Sequence, residues 1–150
     1  GSSSEVLDKI PEGAAVTEET ITTVEEAARF VKETGVDMFA PAVGNRHGIV
    51  LNVPKSLFIE RIAAIKRAVH IPLVLHGGSG SSEEDFMKAI SAGMNVIHIS
   101  TELRVVWREG MKKSLVAHPK EVAPYKLMGE VKGNIKNVVT ERLRLFSSGK

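Results

Sequence analysis

Three short apolar runs stop at clusters of glycine, histidine and hydroxyl residues, and a helix-patterned segment follows each of them. Val36 to Val43 ends in Gly44-Asn45-Arg46-His47-Gly48. Ile71 to Leu75 ends in His76-Gly77-Gly78-Ser79-Gly80. Asn95 to Ser100 closes on His98-Ile99-Ser100-Thr101. Apolar runs without polar alternation read as strands buried on both faces, which requires a parallel sheet covered by helices. The helices between them are legible too. Thr23-Val24-Glu25-Glu26 is a capping-box pattern opening a helix that runs to Thr34-Gly35. Leu57, Phe58, Ile62, Ile65 and Val69 recur at helical spacing, and Ser81-Ser82-Glu83-Glu84 caps a helix that ends near Ala92-Gly93. A long helix containing Trp107 starts at Thr101, and Pro119 and Pro124 separate it from a further helix over roughly Glu130 to Phe146.

Alternation of this kind builds right-handed βαβ units. Three strands cannot close a barrel, and an open three-stranded parallel sheet leaves two bare edges. Either another chain covers those edges or the chain is part of a larger (β/α)8 TIM barrel, and the second is the expected fold: α/β, with the carboxyl-terminal position in the barrel implied only by the resemblance below. The chain comprises a loop over 1–20, about three parallel strands with their helices over 21–118, and a helical tail over 119–150. The leading Gly1-Ser2-Ser3-Ser4 reads equally as a cloning scar or as a native loop.

Composition removes several function classes. Of 150 residues, 43% are hydrophobic, enough for a core, and a formal charge of +2 is too small to argue for nucleic acid or a membrane surface. Absence of cysteine excludes disulfides and thiolate metal sites and favours an intracellular, cytoplasmic setting. No apolar run reaches transmembrane length.

Strand ends in a (β/α) fold share one face, so His47, His76 and His98 can converge although they are distant in sequence. Imidazole is a common zinc ligand, and catalytic zinc keeps a position open for substrate. The loop glycines allow close backbone approach, and Ser79, Ser100 and Thr101 add hydroxyls at helix N-termini, where a phosphate is favoured. Each residue also has a plainer reading: a strand-end histidine that only hydrogen-bonds, a tight turn at Gly77 to Gly80, serines that only cap. His70 and His118 read as surface residues, and Trp107 as packing.

Taken together, Gly44-x-x-His47-Gly48 and Leu75-His76-Gly77-Gly78-Ser79-Gly80 at this spacing resemble the carboxyl-terminal half of a class II, zinc-dependent ketose-bisphosphate aldolase. The likeness spans nearly the whole chain and continues through Ala92-Gly93 and Ser100-Thr101-Glu102-Leu103. It implies that His47 and His76 are two of three histidine ligands of a catalytic Zn2+. It implies further that Gly48, Gly77, Gly78, Ser79, Ser100 and Thr101 bind the ketose phosphate. Carbonyls near Arg46, Gly48 and Gly77 resemble a monovalent cation site of some members. Many members carry Lys-x-Asn on the third strand, where this chain has Val96-Ile97-His98, so His98 stands where a substrate-orienting asparagine would, open to binding substrate, approaching the metal or packing. The third zinc histidine and the acid/base carboxylates would come from the other half of the barrel, which leaves the catalytic acid/base residues unassigned. The implied reaction is reversible cleavage of a ketose bisphosphate, fructose or tagatose. The chain alone would be inactive, paired with itself or with a complementing amino-terminal half. The competing readings are a non-catalytic phosphate-binding half-barrel, another phosphate-binding barrel lyase or isomerase, and a serine hydrolase. The last lacks its Gly-x-Ser-x-Gly elbow.

Overall fold

Two parallel strand pairs and five α-helices make up the computed structural model, which describes residues 6–8, 16–50 and 56–148. β1 (Val6–Leu7) is followed by α1 (Val24–Thr34), β2 (Ile49–Val50), α2 (Ile59–Val69) and β3 (Leu73–Leu75). Then come α3 (Glu83–Ser91), β4 (Met94–Ile97), α4 (Thr101–Ala117) and α5 (Pro124–Ser148). Gly1 to Ser4 lie outside the described residues.

α1 begins where its capping box predicts. The Thr23 hydroxyl accepts from the Glu26 N–H at 3.1 Å, and the Glu26 carboxylate accepts from the Thr23 N–H at 2.9 Å. Those bonds hold the Glu26 carboxyl below the usual carboxylate range. Thr23→Ala removes half of this exchange and is expected to cost about 1 kcal/mol, read as a lower denaturant midpoint. Gly35 closes the helix in the left-handed region at φ 65°.

Two expectations about strands need correction. Val36 to Val43 is not a regular strand. It is an extended segment with a single parallel bridge, in which the Phe39 N–H donates to Pro72 O and the Val74 N–H donates to Phe39 O. Pro41 has no N–H with which to continue such a ladder, and Ala42 instead bonds Thr22, its N–H donating to Oγ1 and its carbonyl accepting from the Thr22 N–H. In place of one three-stranded sheet there are two parallel pairs, β1–β2 and β3–β4, and no closed barrel among the described residues. The β1–β2 pair falls in stretches that carry no clean strand pattern.

The β3–β4 pair carries the centre of the molecule. Leu73, Val74 and Leu75 are all buried, and the register skips one residue between Leu73 and Val74. Asn95 is the skipped residue, and its side-chain carbonyl accepts from the Leu73 N–H at 3.1 Å and from Lys66 Nζ at 3.1 Å. The bulge is thus satisfied from within. Ile62, Ile65 and Val69 of α2, Phe86 and Ala89 of α3, and Val43 pack on this pair to form the core.

The tail differs in extent from its pattern. α5 starts at Pro124, a proline tolerated at a first helical position because its missing N–H would have no partner there. The helix runs 25 residues and packs along α4. Gly110 and Ser114 of α4 leave room for it: a Cβ on Gly110 would lie 3.3 Å from Val131, and Ser114 Oγ donates to Leu127 O at 2.8 Å. Trp107, expected in the packing, is 47% exposed, although it shares a side of α4 with Gly110 and Ser114, three and seven residues on.

Candidate active site

The strand ends do meet. His76 follows β3 and His98 follows β4, and the ladder continues between them: the His98 N–H donates to Leu75 O at 2.9 Å, and the Gly78 N–H donates to His98 O at 3.1 Å. The two rings lie edge to face with centroids 4.7 Å apart and a long Nδ1···Nδ1 contact of 3.4 Å. His47 comes from the loop before β2, and its ring centroid is 6.2 Å from that of His76. Asn45 ties this loop to β3. Its side-chain oxygen accepts from the Val43 N–H at 2.8 Å, and its side-chain nitrogen donates to His76 O at 3.0 Å. Gly77 makes the approach possible, since at φ 62° it stands with the site of a Cβ only 2.6 Å from Arg46 O.

The three histidines line one cavity of about 460 Å³. His47, Gly48, His76, Gly77, Ser79, His98, Ser100 and Thr101 all face it. Gly78 does not; its N–H is taken by His98 O, and a Cβ there would press on that carbonyl and on the Phe86 ring. Gly78 is the seam between the two loops. The wall holds three imidazoles and an arginine, Arg104, with no carboxylate among its described residues. Arg104 and the asparagine clamp at Asn45 were not singled out from the sequence. The only signal for Arg104 was its place one turn beyond Ser100-Thr101, on the same side of a helix.

The start of α4 is built unusually. Ser100 is the N-cap but makes no capping bond with its own side chain. Ser79, from the loop after β3, does it instead: its Oγ accepts from the Ser100 N–H at 3.0 Å and from the Glu102 N–H at 3.5 Å. The cap therefore comes from the neighbouring loop. That bond fixes the glycine loop against a helix N-terminus whose partial positive charge favours an anion.

Imidazole is a chemistry suited to a metal ion. A ring bound to zinc has its centre about 3.2 Å from the ion, so two rings on one tetrahedral centre lie about 5 Å apart. His47 and His76 stand wider than that, at 6.2 Å, and His76 and His98 closer, at 4.7 Å. Partial desolvation at the cavity wall, and after it the charges of His98 and His47, hold the exposed His76 below the usual imidazole range. Among the described residues, no three His, Asp or Glu side chains are already gathered as a metal site. No helix is long and apolar enough to cross a membrane among them.

The cavity lies on an α/β scaffold, at the carboxyl ends of the parallel strands β3 and β4, with basic and hydroxyl side chains in its wall. Residues 3–150 match the class II fructose-bisphosphate aldolase family, and the chain belongs to that family. It is 39% identical over 128 residues to the sulfofructosephosphate aldolase of Alkalicoccus urumqiensis, a match covering 85% of this chain and 44% of that protein. The crystal structure of the YdjI aldolase from Escherichia coli K12 superposes with a TM-score of 0.71 at 36% identity, over 86% of this chain and 47% of the other. The fructose-bisphosphate aldolase of Campylobacter jejuni shares the fold alone, with a TM-score of 0.71 at 19% identity over 86% of this chain and 45% of its own. The chain spans about half the length of the relatives it matches.

Proposed function

We propose that the whole protein carrying this chain cleaves a ketose bisphosphate reversibly by a zinc-assisted aldol reaction. The first substrate to test is fructose 1,6-bisphosphate, giving dihydroxyacetone phosphate and glyceraldehyde 3-phosphate. The observation that supports this most directly is the meeting of His47 and His76 with a capped helix N-terminus in one cavity. His47 and His76 would hold Zn2+, which when bound supplies Lewis acidity toward the ketose carbonyl. The N–H groups of Gly48 and Gly77, the hydroxyls of Ser79, Ser100 and Thr101, and the Arg104 guanidinium bind the phosphate dianion. His98, beside His76, orients the sugar near the metal position. Carbonyls around Arg46, Gly48 and Gly77 provide a monovalent cation site. The third zinc ligand and the groups that move protons come from the rest of the barrel, supplied by the same polypeptide or a complementing half. The setting is cytoplasmic.

The substrate test uses the whole protein with fructose 1,6-bisphosphate, tagatose 1,6-bisphosphate and a sulfofructose phosphate, the last suggested by the name of the Alkalicoccus relative. Cleavage of at least one of the two bisphosphates, lost on chelation and restored by zinc, is the expected outcome, and cleavage of the sulfofructose phosphate alone would replace the bisphosphate as substrate. Turnover that survives complete metal removal, or cleavage of none of the three, overturns the reading. In the latter case, retained phosphate binding would point to the non-catalytic module.

A further inference from the structure

Glu102 sits in the first turn of α4, directly after Thr101 of the cavity wall, and its side chain is only 14% exposed. A bare carboxylate there would oppose any anion held at the same helix N-terminus. The structure supplies its counter-charge from the far end of the chain. Arg142, on α5, donates to Glu102 Oε2 from Nε at 3.2 Å and from Nη2 at 2.9 Å. The guanidinium lies 5.7 Å from the centre of the Phe86 ring, which itself packs against Phe146, so packing sets the geometry of the fork. Glu83 also approaches, but at 3.9 Å and largely in solvent. The other Glu102 oxygen, Oε1, is buried with no hydrogen-bond partner among the described residues, so Arg142 is the group that compensates this charge.

We propose that Arg142 is a positioning residue for the anion end of the cavity. It neutralises Glu102 and, through it, pins the first turn of α4, whose Ser100 and Glu102 N–H groups meet Ser79 Oγ. The anion then meets helix N–H groups, hydroxyls and Arg104 without an opposing charge close behind them. This rests on the phosphate-site reading above, and it makes α5 part of substrate binding although α5 contributes no residue to the cavity wall.

The test is titration of inorganic phosphate into the whole protein, alongside turnover of a ketose bisphosphate. Arg142→Met is expected to weaken phosphate about tenfold, the scale of one uncompensated charge nearby. Adding Glu102→Gln removes that charge and should bring the dissociation constant back to within about threefold of wild type. A merely structural role predicts no such recovery. An unchanged affinity in folded Arg142→Met, or a double variant as weak as the single, overturns the proposal. Should Arg142→Met fail to fold, Arg142→Gln with and without Glu102→Gln reads the same coupling, and equal phosphate affinity in those two variants counts against the role. If wild type binds phosphate with these shifts but cleaves no ketose bisphosphate, the aldolase reading fails and the role of Arg142 stands. If it cleaves a ketose bisphosphate but its phosphate affinity is indifferent to Arg142, the aldolase reading stands and the role of Arg142 fails.

Discussion

His76→Ala in the whole protein is expected to lower kcat for ketose-bisphosphate cleavage by about a thousandfold or more while leaving the unfolding midpoint close to wild type. The size follows from the chemistry. A metal acting as Lewis acid contributes several kcal/mol to stabilising the transition state, and each 1.4 kcal/mol is about tenfold in rate. Stability should survive because the imidazole is exposed at the cavity, whereas its carbonyl, which accepts from Asn45, is untouched by the change. The measurement is steady-state turnover beside a denaturant melt. A folded His76→Ala protein that keeps a tenth of wild-type kcat contradicts the assignment.

Gly77→Ala is expected to damage both stability and metal affinity, through backbone rather than side-chain chemistry. A left-handed φ of 62° disfavours alanine, and the new Cβ would stand 2.6 Å from Arg46 O and 3.1 Å from the His47 N. The conformational penalty and the overpacking together come to about 2–4 kcal/mol. Relief requires the His47 loop to move away from His76, so zinc should bind at least about tenfold more weakly. The two observables are the denaturant midpoint and a zinc titration. Wild-type values for both would show that the loops are not held together through this glycine.

The features most legible in the sequence were those with a local cause. The Thr23–Glu26 box, the Ser82 cap that accepts from the Asp85 N–H, and the apolar spacing of Ile62, Ile65 and Val69 need only neighbours in sequence to be read. The cavity wall was partly legible for a related reason: the apolar runs before His76 and His98 end at β3 and β4, and parallel strand ends share a face. Long-range arrangements were not legible. The segment at Phe39 has the composition of a strand, but Pro41 and the bonds of Ala42 to Thr22 take its ladder apart. α5 begins at a proline that looked like a break, because proline is a stop inside a helix and a good start at its first position. Ser100 looked like an ordinary cap, yet the cap is Ser79, 21 residues earlier. The Arg142–Glu102 pair joins residues 40 apart, and no local pattern announces it.

The metal site is open to a direct test: zinc titration of the whole protein by calorimetry, with His47→Ala and His76→Ala in parallel. One saturable site per chain is expected in the wild type, with affinity lost in both variants while each remains folded. Wild-type zinc affinity in either variant would remove that histidine from the metal site. Wild-type affinity in both would mean that His47 and His76 hold no metal, and the zinc-assisted reading would fall with them.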